Sequence, residues 1–275
     1  MGTLGKRTLF GLLFTAVVVG CLLTPWTLLL LVCFLSVALS YEFYRMTVEH
    51  RFWKEQAGVM LGALVVLAVL FFHFRNGVSI RYAALGILPV MVSSIFMLFD
   101  GAGKHDFPVA VYFPLLYIVL PLAAFLMLAW PCGTFTWRLT LGLMVMIWLN
   151  DIGAYVVGMS FGQRPDSRKL FPALSPKKSW IGVAGGTLFT FLAAWAVWAL
   201  FGSAVLPLAH WLGLALIVSV FGVFGDLFES LIKRHAQVKD AGHLIPGHGG
   251  LLDRFDDVLF VLPLAALYLM LFSLL

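Results

Sequence analysis

Charge is what this chain has least of. Only 11% of its 275 residues are Asp, Glu, Lys or Arg, where a soluble domain carries about a quarter. Acid is scarcer than base, with 13 carboxylates against 18 lysines and arginines. Cysteine is nearly absent too. Cys21 and Cys33 fall in apolar stretches and Cys132 stands alone in a short loop, so neither a disulfide framework nor a cysteine zinc site has the spacing it needs. No GxxxxGK[ST] loop and no HExxH helix occurs, which removes a Walker A nucleotide site and a zincin. Low-complexity tracts and internal repeats are lacking as well.

What fills the space is apolar sequence. Hydrophobic residues make up 62% of the chain and the mean hydropathy is +1.01. Apolar runs recur near the ~20 residues that cross a bilayer core. The composition predicts an all-α polytopic membrane bundle with about nine spans, near 8–24, 27–44, 57–73, 83–99, 109–130, 139–160, 181–202, 210–232 and 256–275. Thr24-Pro25-Trp26 divides the first two, because proline cannot continue a helix at its interior. The first run is read as a span rather than a cleaved leader, since no small-residue cleavage site follows it.

Basic residues are distributed unevenly over these spans. Fifteen of the eighteen, Lys6, Arg7, Arg45, Arg51, Lys54, Lys104, Arg164, Arg168, Lys169, Lys177, Lys178, Lys233, Arg234, Lys239 and Arg254, fall on one side, and Arg75, Arg81 and Arg138 on the other. The positive-inside rule puts the fifteen in the cytoplasm and, with nine spans, the C-terminus outside. The expected division of labour is a scaffold over 1–138 and a catalytic region over 139–275, with cytoplasmic loops at 162–180 and 233–254. The net charge of +5 thus reports orientation and not nucleic-acid binding.

The missing acid turns up in one place. Residues 240–257, DAGHLIPGHGGLLDRFDD, hold four aspartates, two histidines, four glycines and an arginine. Just before them, Asp226, Glu229, Ser230 and Lys233 recur at helical spacings of three and four and share one face. Charges at membrane depth are costly and turn toward the bundle interior or water. A Glu229–Lys233 ion pair is the plain structural account of that stripe. The glycines around Pro246 suit a tight turn with exposed N–H groups that suit phosphate oxygens; His243 and His248 lack the spacing of a zinc site. Asp253, Asp256 and Asp257 open the last span. Helix capping accounts for one of them, whereas grouped carboxylates beside phosphate-binding groups are what Mg²⁺ uses. Asp226, on the neighbouring span, is positioned to join them.

A second polar stretch follows span six. Asn150 and Asp151 enter the membrane in NDIGAYVVG, and SPKKSWIGVAGG puts Lys177 and Lys178 at the mouth of span seven. The lysines serve as orientation signals or lipid contacts, or they clamp phosphates beside the metal. The second role requires spans seven and eight to pack together, and Gly182, Gly185 and Gly186 permit a close helix approach.

Residues 230–256 resemble the signature of phosphatidate cytidylyltransferases, S-x-x-K-R-x4-K-D-x-G-x2-I-P-x-H-G-G-x-x-D-R-x-D. Every fixed position is matched: Ser230, Lys233, Arg234, Lys239, Asp240, Gly242, Ile245, Pro246, His248, Gly249, Gly250, Asp253, Arg254 and Asp256. DIGAYVVG and SPKKSWIG are similar to two further family stretches, with Ile152 in place of threonine and Ile181 in place of glutamate. Asp257 stands where many members carry serine. The likeness is close over 150–275 and elsewhere is only that of apolar spans.

The resemblance implies an enzyme of the bacterial cytoplasmic membrane that joins CTP and phosphatidate into CDP-diacylglycerol and pyrophosphate on its cytoplasmic side. It implies divalent metal on Asp226, Asp253 and Asp256, Mg²⁺ being expected and K⁺ a candidate companion. Lys233 and Arg254 would act in catalysis; Lys177, Lys178, Ser230, Lys239, His248, Gly249, Gly250 and Asp151 would bind substrate. Expected partners are CTP, phosphatidate, membrane lipids and a second copy in a homodimer, with no nucleic acid. Two other readings stay open: a related CTP-dependent lipid or polyprenol kinase or ether-lipid cytidylyltransferase, and an ion or organophosphate transporter. The transporter fits less well, because its acids would line a symmetric path at mid-membrane, whereas here they crowd one side of one half.

Overall fold

A computed structural model describes residues 3–47, 53–100, 107–164, 167–242 and 249–275. Arg51, Lys104, His243, Ile245, Pro246, Gly247 and His248 lie outside the described residues. Ten α-helices run through the described chain: α1 Thr3–Leu22, α2 Pro25–Thr47, α3 Trp53–Asn76, α4 Ile87–Asp100, α5 Phe107–Pro114, α6 Leu120–Leu128, α7 Trp137–Phe161, α8 Trp180–Phe201, α9 Leu208–His235 and α10 Asp256–Leu271. Six helical segments among the described residues are long and apolar enough to cross a membrane: Pro25–Thr47, Trp53–Asn76, Ala110–Leu128, Trp137–Phe161, Trp180–Phe201 and Leu208–His235. Their outward faces are apolar as well. Leu188, Leu192, Trp195 and Leu200 all lie exposed on α8, a patch that water does not tolerate and lipid does. The chain is an integral membrane protein built from helices.

Its contacts fall into two compact units, 1–135 with 238–254 and Leu275, and 136–237 with 255–274.

In the first unit, α1 and α2 part at Thr24-Pro25 as the proline predicts. Pro25 takes the first helical position, where its missing N–H costs nothing, and the Thr24 hydroxyl accepts the Thr27 N–H at 3.3 Å. α3 meets the segment that follows it at glycines: a methyl on Gly62 would lie 2.6 Å from the Gly86 carbonyl oxygen. The expected span at 83–99 is divided, entering as a 3₁₀ helix over Ile80–Gly86 before α4 begins. The span expected at 109–130 is α5, a π-helical turn over Leu115–Val119, and α6. Pro114 and Pro121 flank that turn; each lacks an N–H and crowds the preceding carbonyl, which loosens the ladder. Leu35, Leu39, Leu67, Phe71, Phe125 and Leu126 form the buried interior.

In the second unit, α7 and α8 lie backbone to backbone. A methyl on Gly153 would stand 2.8 Å from the Gly185 carbonyl oxygen, and one on Gly186 would stand 2.7 Å from Asn150 Oδ1. The α8 glycines thus face α7, while α8 also packs along α9. Thr190 Oγ1 closes the seam, lying 3.1 Å from Asn150 Oδ1 and 2.9 Å from the Gly186 carbonyl. One departure from an all-helical reading is small. Between α7 and α8 the loop folds into an antiparallel hairpin, β1 Lys169–Phe171 with β2 Ser175–Ser179, pairing Lys169 with Ser179 and Phe171 with Ser175. Ser179 then caps α8 by accepting the Gly182 N–H at 3.3 Å. α9 and α10 touch at Gly225, where a methyl would lie 2.5 Å from the Asp256 carbonyl oxygen.

Candidate active site

The α9–α10 contact gathers the acid. Asp226 and Glu229 are one turn apart on α9 and Asp256 is the first residue of α10, so the close approach at Gly225 brings carboxylates from two helices together. One oxygen from each of Asp226, Glu229 and Asp256 lies within 4.8 Å of the others. The group runs from a partly open Asp226 to a buried Glu229, 1% exposed, with Asp256 9% exposed and its neighbour Asp257 4%. Asp151 on α7 and Asp226 lie within electrostatic reach of Asp257, and Asp226 and Glu229 of Asp256. Asp257 Oδ1 accepts the Val258 N–H at 2.7 Å.

Two lysines offset this charge. Lys233 Nζ pairs with Glu229 at 2.5 Å, and Lys178, from β2, pairs with Asp226. Ser230 Oγ lies 3.5 Å from Asp226 Oδ1. Glu229, Asp256 and Asp257 are buried carboxylates that converge with the more open Asp226 and Asp151, an arrangement that cations stabilise. Hard oxygen ligands at this spacing suit a divalent ion. The donor set fits.

Beside the acids lies a cavity of about 470 Å³, with Asp226, Asp151, Lys177 and Lys178 on its wall and Ala154, Gly158 and Gly182 among the small residues that leave it room. Lys177 is exposed, and its carbonyl accepts from Gln163 Nε2 at 3.0 Å. Lys169 Nζ donates to the Gly162 carbonyl at 2.8 Å, fastening the hairpin to the end of α7. The lysine pair of the sequence is therefore held by a folded hairpin and reaches α9 through Lys178.

The first unit holds the glycine-rich stretch. Asp253 lies in a 3₁₀ turn, Leu252–Arg254. Its Oδ2 accepts the Gly250 N–H at 2.8 Å and the Ala241 N–H at 3.1 Å. Gly249 has φ +85°, a left-handed conformation that glycine adopts without strain. Lys239 and Arg254 are exposed.

Of the three aspartates expected to hold metal, Asp226 and Asp256 meet in the second unit, while Asp253 fastens backbone in the first. Glu229 completes the group that the structure assembles. Its spacing of three from Asp226 was the available signal, masked by the pairing with Lys233 that also exists.

The family model described as "Cytidylyltransferase family" matches residues 5–272. Among curated proteins, "Phosphatidate cytidylyltransferase" of Bacillus subtilis (strain 168) is 47% identical over 129 residues, covering 47% of this chain and 46% of that protein. The protein of the same name from Staphylococcus aureus (strain COL) is 44% identical over 132 residues, covering 44% of each. That of Staphylococcus saprophyticus subsp. saprophyticus is 43% identical over 120 residues, again with 44% of each covered. The matched stretch thus spans a little under half the length of these relatives. With the family model running almost from end to end, the chain belongs to the cytidylyltransferase family.

Proposed function

We propose that this protein transfers CMP from CTP to phosphatidate, giving CDP-diacylglycerol and pyrophosphate for phospholipid synthesis, at the cytoplasmic face of a bacterial inner membrane. One observation carries the reading: the Asp226–Glu229–Asp256 group, with Lys178 and Lys233 paired to it, in a chain with the full cytidylyltransferase signature.

The reaction needs positioning and charge more than proton transfer. The phosphate of phosphatidate arrives ionised, so its oxygen is already a nucleophile. That oxygen bonds to the α-phosphorus of CTP, the bond from the α-phosphorus to the α,β-bridging oxygen breaks, and pyrophosphate leaves with that oxygen. Asp226, Glu229 and Asp256 would hold Mg²⁺, with Asp253 the further ligand that the resemblance names and K⁺ a candidate companion. When bound, Mg²⁺ supplies neutralisation of the charge that grows on the phosphate oxygens. Lys178 and Lys177 would take phosphate oxygens at the cavity wall, Lys178 exchanging its carboxylate partner for substrate. On sequence alone, Lys233, Lys239, Arg254, Ser230 and the Gly249 N–H would hold the rest of the triphosphate and the lipid phosphate; the Gly250 N–H, expected to join them, is given to Asp253 instead. His248 would donate to the leaving pyrophosphate.

The test is incubation of purified protein with CTP labelled at either the α or the γ phosphorus, with phosphatidate, with and without Mg²⁺. α-Label in CDP-diacylglycerol, only when Mg²⁺ is present, is the expected result. Transfer of γ-label to a lipid would make the protein a kinase. No lipid product from either label would overturn the proposal.

A further inference from the structure

Glu42 is a carboxylate inside an apolar helix, and it is only 2% exposed. It sits near the end of α2 and reaches the glycine-rich stretch of the same unit. Its Oε2 accepts the Leu252 N–H at 2.7 Å, across 210 positions of chain. The fit around it is tight. A methyl on Gly250 would lie 3.0 Å from Glu42 Oε2, 3.0 Å from Asp253 Oδ2 and 2.7 Å from the Gly242 nitrogen, and one on Gly242 would overlap Glu42 Oε1. Glu42 and Asp253 thus converge on one point and together hold the N–H groups of Ala241, Gly250 and Leu252. Glu42 Oε1 has no hydrogen-bond partner among the described residues. Holding a carboxylate at that depth is expensive, and packing alone would be better served by leucine.

We propose that Glu42 is a positioning residue for the reaction proposed above: it anchors the closing end of the glycine-rich stretch, so that Lys239, Arg254 and the Gly249 N–H meet the CTP phosphates in one arrangement. It touches no substrate itself. The inference rests on the proposed reaction for its kinetic consequence and on the structure alone for the anchor.

The experiment uses full-length protein in lipid nanodiscs, comparing Glu42→Ala and Glu42→Gln with wild type. Amide exchange of the peptide around Leu252 is followed beside kcat and KM for CTP and for phosphatidate. Glu42→Ala should speed exchange there by about tenfold or more and lower kcat/KM for CTP by about ten- to a hundredfold, the range for a lost hydrogen bond to a charged group. The KM for phosphatidate should hold. Glu42→Gln keeps an acceptor for the Leu252 N–H and should recover most of both effects. Unchanged exchange in Glu42→Ala, or a loss of activity that only tracks the folded fraction with both KM values unaltered, would overturn the anchor. If wild type itself makes no CDP-diacylglycerol, the reaction is wrong, and the exchange measurement still decides the anchor.

Discussion

Gly225→Ala should cost far more activity than stability. A methyl at Gly225 would stand 2.5 Å from the Asp256 carbonyl oxygen, 2.8 Å from Asp257 Cα and 3.1 Å from Asp256 carbon. These are backbone atoms, so no side-chain rotation relieves them. Opening the shortest contact to the 3.4 Å at which ordinary contact begins shifts the first turn of α10 by about 0.9 Å relative to α9. That turn carries Asp256, whose carboxylate meets Asp226 and Glu229 from α9. Overpacking of this kind costs about 1–3 kcal/mol, and alanine's better helix propensity returns roughly 0.8–1 kcal/mol, so the fold should survive. Misplacing a reacting constellation by about 1 Å costs on the order of a hundredfold in rate, or about 2.7 kcal/mol of barrier. Gly222→Ala, one turn earlier on α9, is the packing control. Its methyl would meet Asn150 Nδ2 at 3.5 Å and Asp257 Cβ at 3.8 Å, both ordinary contacts, so its melting temperature should equal or exceed that of wild type. The assay is kcat for CDP-diacylglycerol formation at saturating substrates beside a melting curve in the same detergent. A Gly225→Ala enzyme with kcat within about threefold of wild type would refute the claim that the α9–α10 contact builds the reaction centre.

Three further outcomes are expected. Asp226→Asn and Asp256→Asn should each abolish transfer in protein that still inserts and melts cooperatively, because an amide is a poor ligand for a hard divalent ion; a kcat within a few-fold of wild type for either removes it from the proposed metal group. Lys178→Ala and Lys177→Ala should raise the KM for CTP and lower kcat/KM by about ten- to a hundredfold, the worth of a charge-assisted contact in a partly dry site, while Lys6→Ala and Lys54→Ala change little; small, equal losses at all four at one ionic strength would reduce the hairpin lysines to surface charge. Single cysteines at positions 177 and 239, in a background without Cys21, Cys33 and Cys132, should label from the cytoplasmic side and one at 275 from the opposite side, and labelling of 177 and 239 only from outside would invert the assumed orientation.

How far the sequence reveals this molecule depends on the range of the interaction concerned. Helical spacing on α9 is local, so Asp226, Glu229, Ser230 and Lys233 fall on one face by their spacing alone. Proline chemistry is local too, and the break before Pro25 follows from it. The π-helical turn at Leu115–Val119 lies between two prolines that could have signalled it, yet hydropathy averages over such detail. The hairpin at 169–179 was invisible, since it is short, carries two prolines, and draws its order from tertiary ties such as Lys169 to the Gly162 carbonyl. The α8 glycines announced a close neighbour, expected to be the following span α9, and the fold instead sets them against α7.

The site divides along the same line. Like charges repel, so a sequence cannot say which of its carboxylates will be forced together; that takes a backbone contact as short as the one at Gly225, and glycine there reads in sequence as one more small residue in a membrane helix. Glu42 is the extreme case. Nothing near it in sequence is part of the motif, and its partner is 210 positions away. What it does share with the motif is physical: it is an acid where acid is costly. In a chain with 13 carboxylates, each buried one needs something to compensate its burial, and for Glu42 that includes a distant backbone N–H. By that criterion Glu42 stands beside Asp256 and Asp257, although it lies in the half of the chain that hydropathy reads as scaffold. The expected division of labour, a scaffold over 1–138 and a catalytic region over 139–275, then turns on whether Glu42→Ala changes kcat/KM for CTP. If Glu42→Ala speeds exchange at Leu252 and lowers kcat/KM for CTP, while Asp256→Asn abolishes transfer with that exchange unchanged, then this chain keeps buried acid for two different purposes, to hold backbone at Glu42 and to serve the reaction at Asp256.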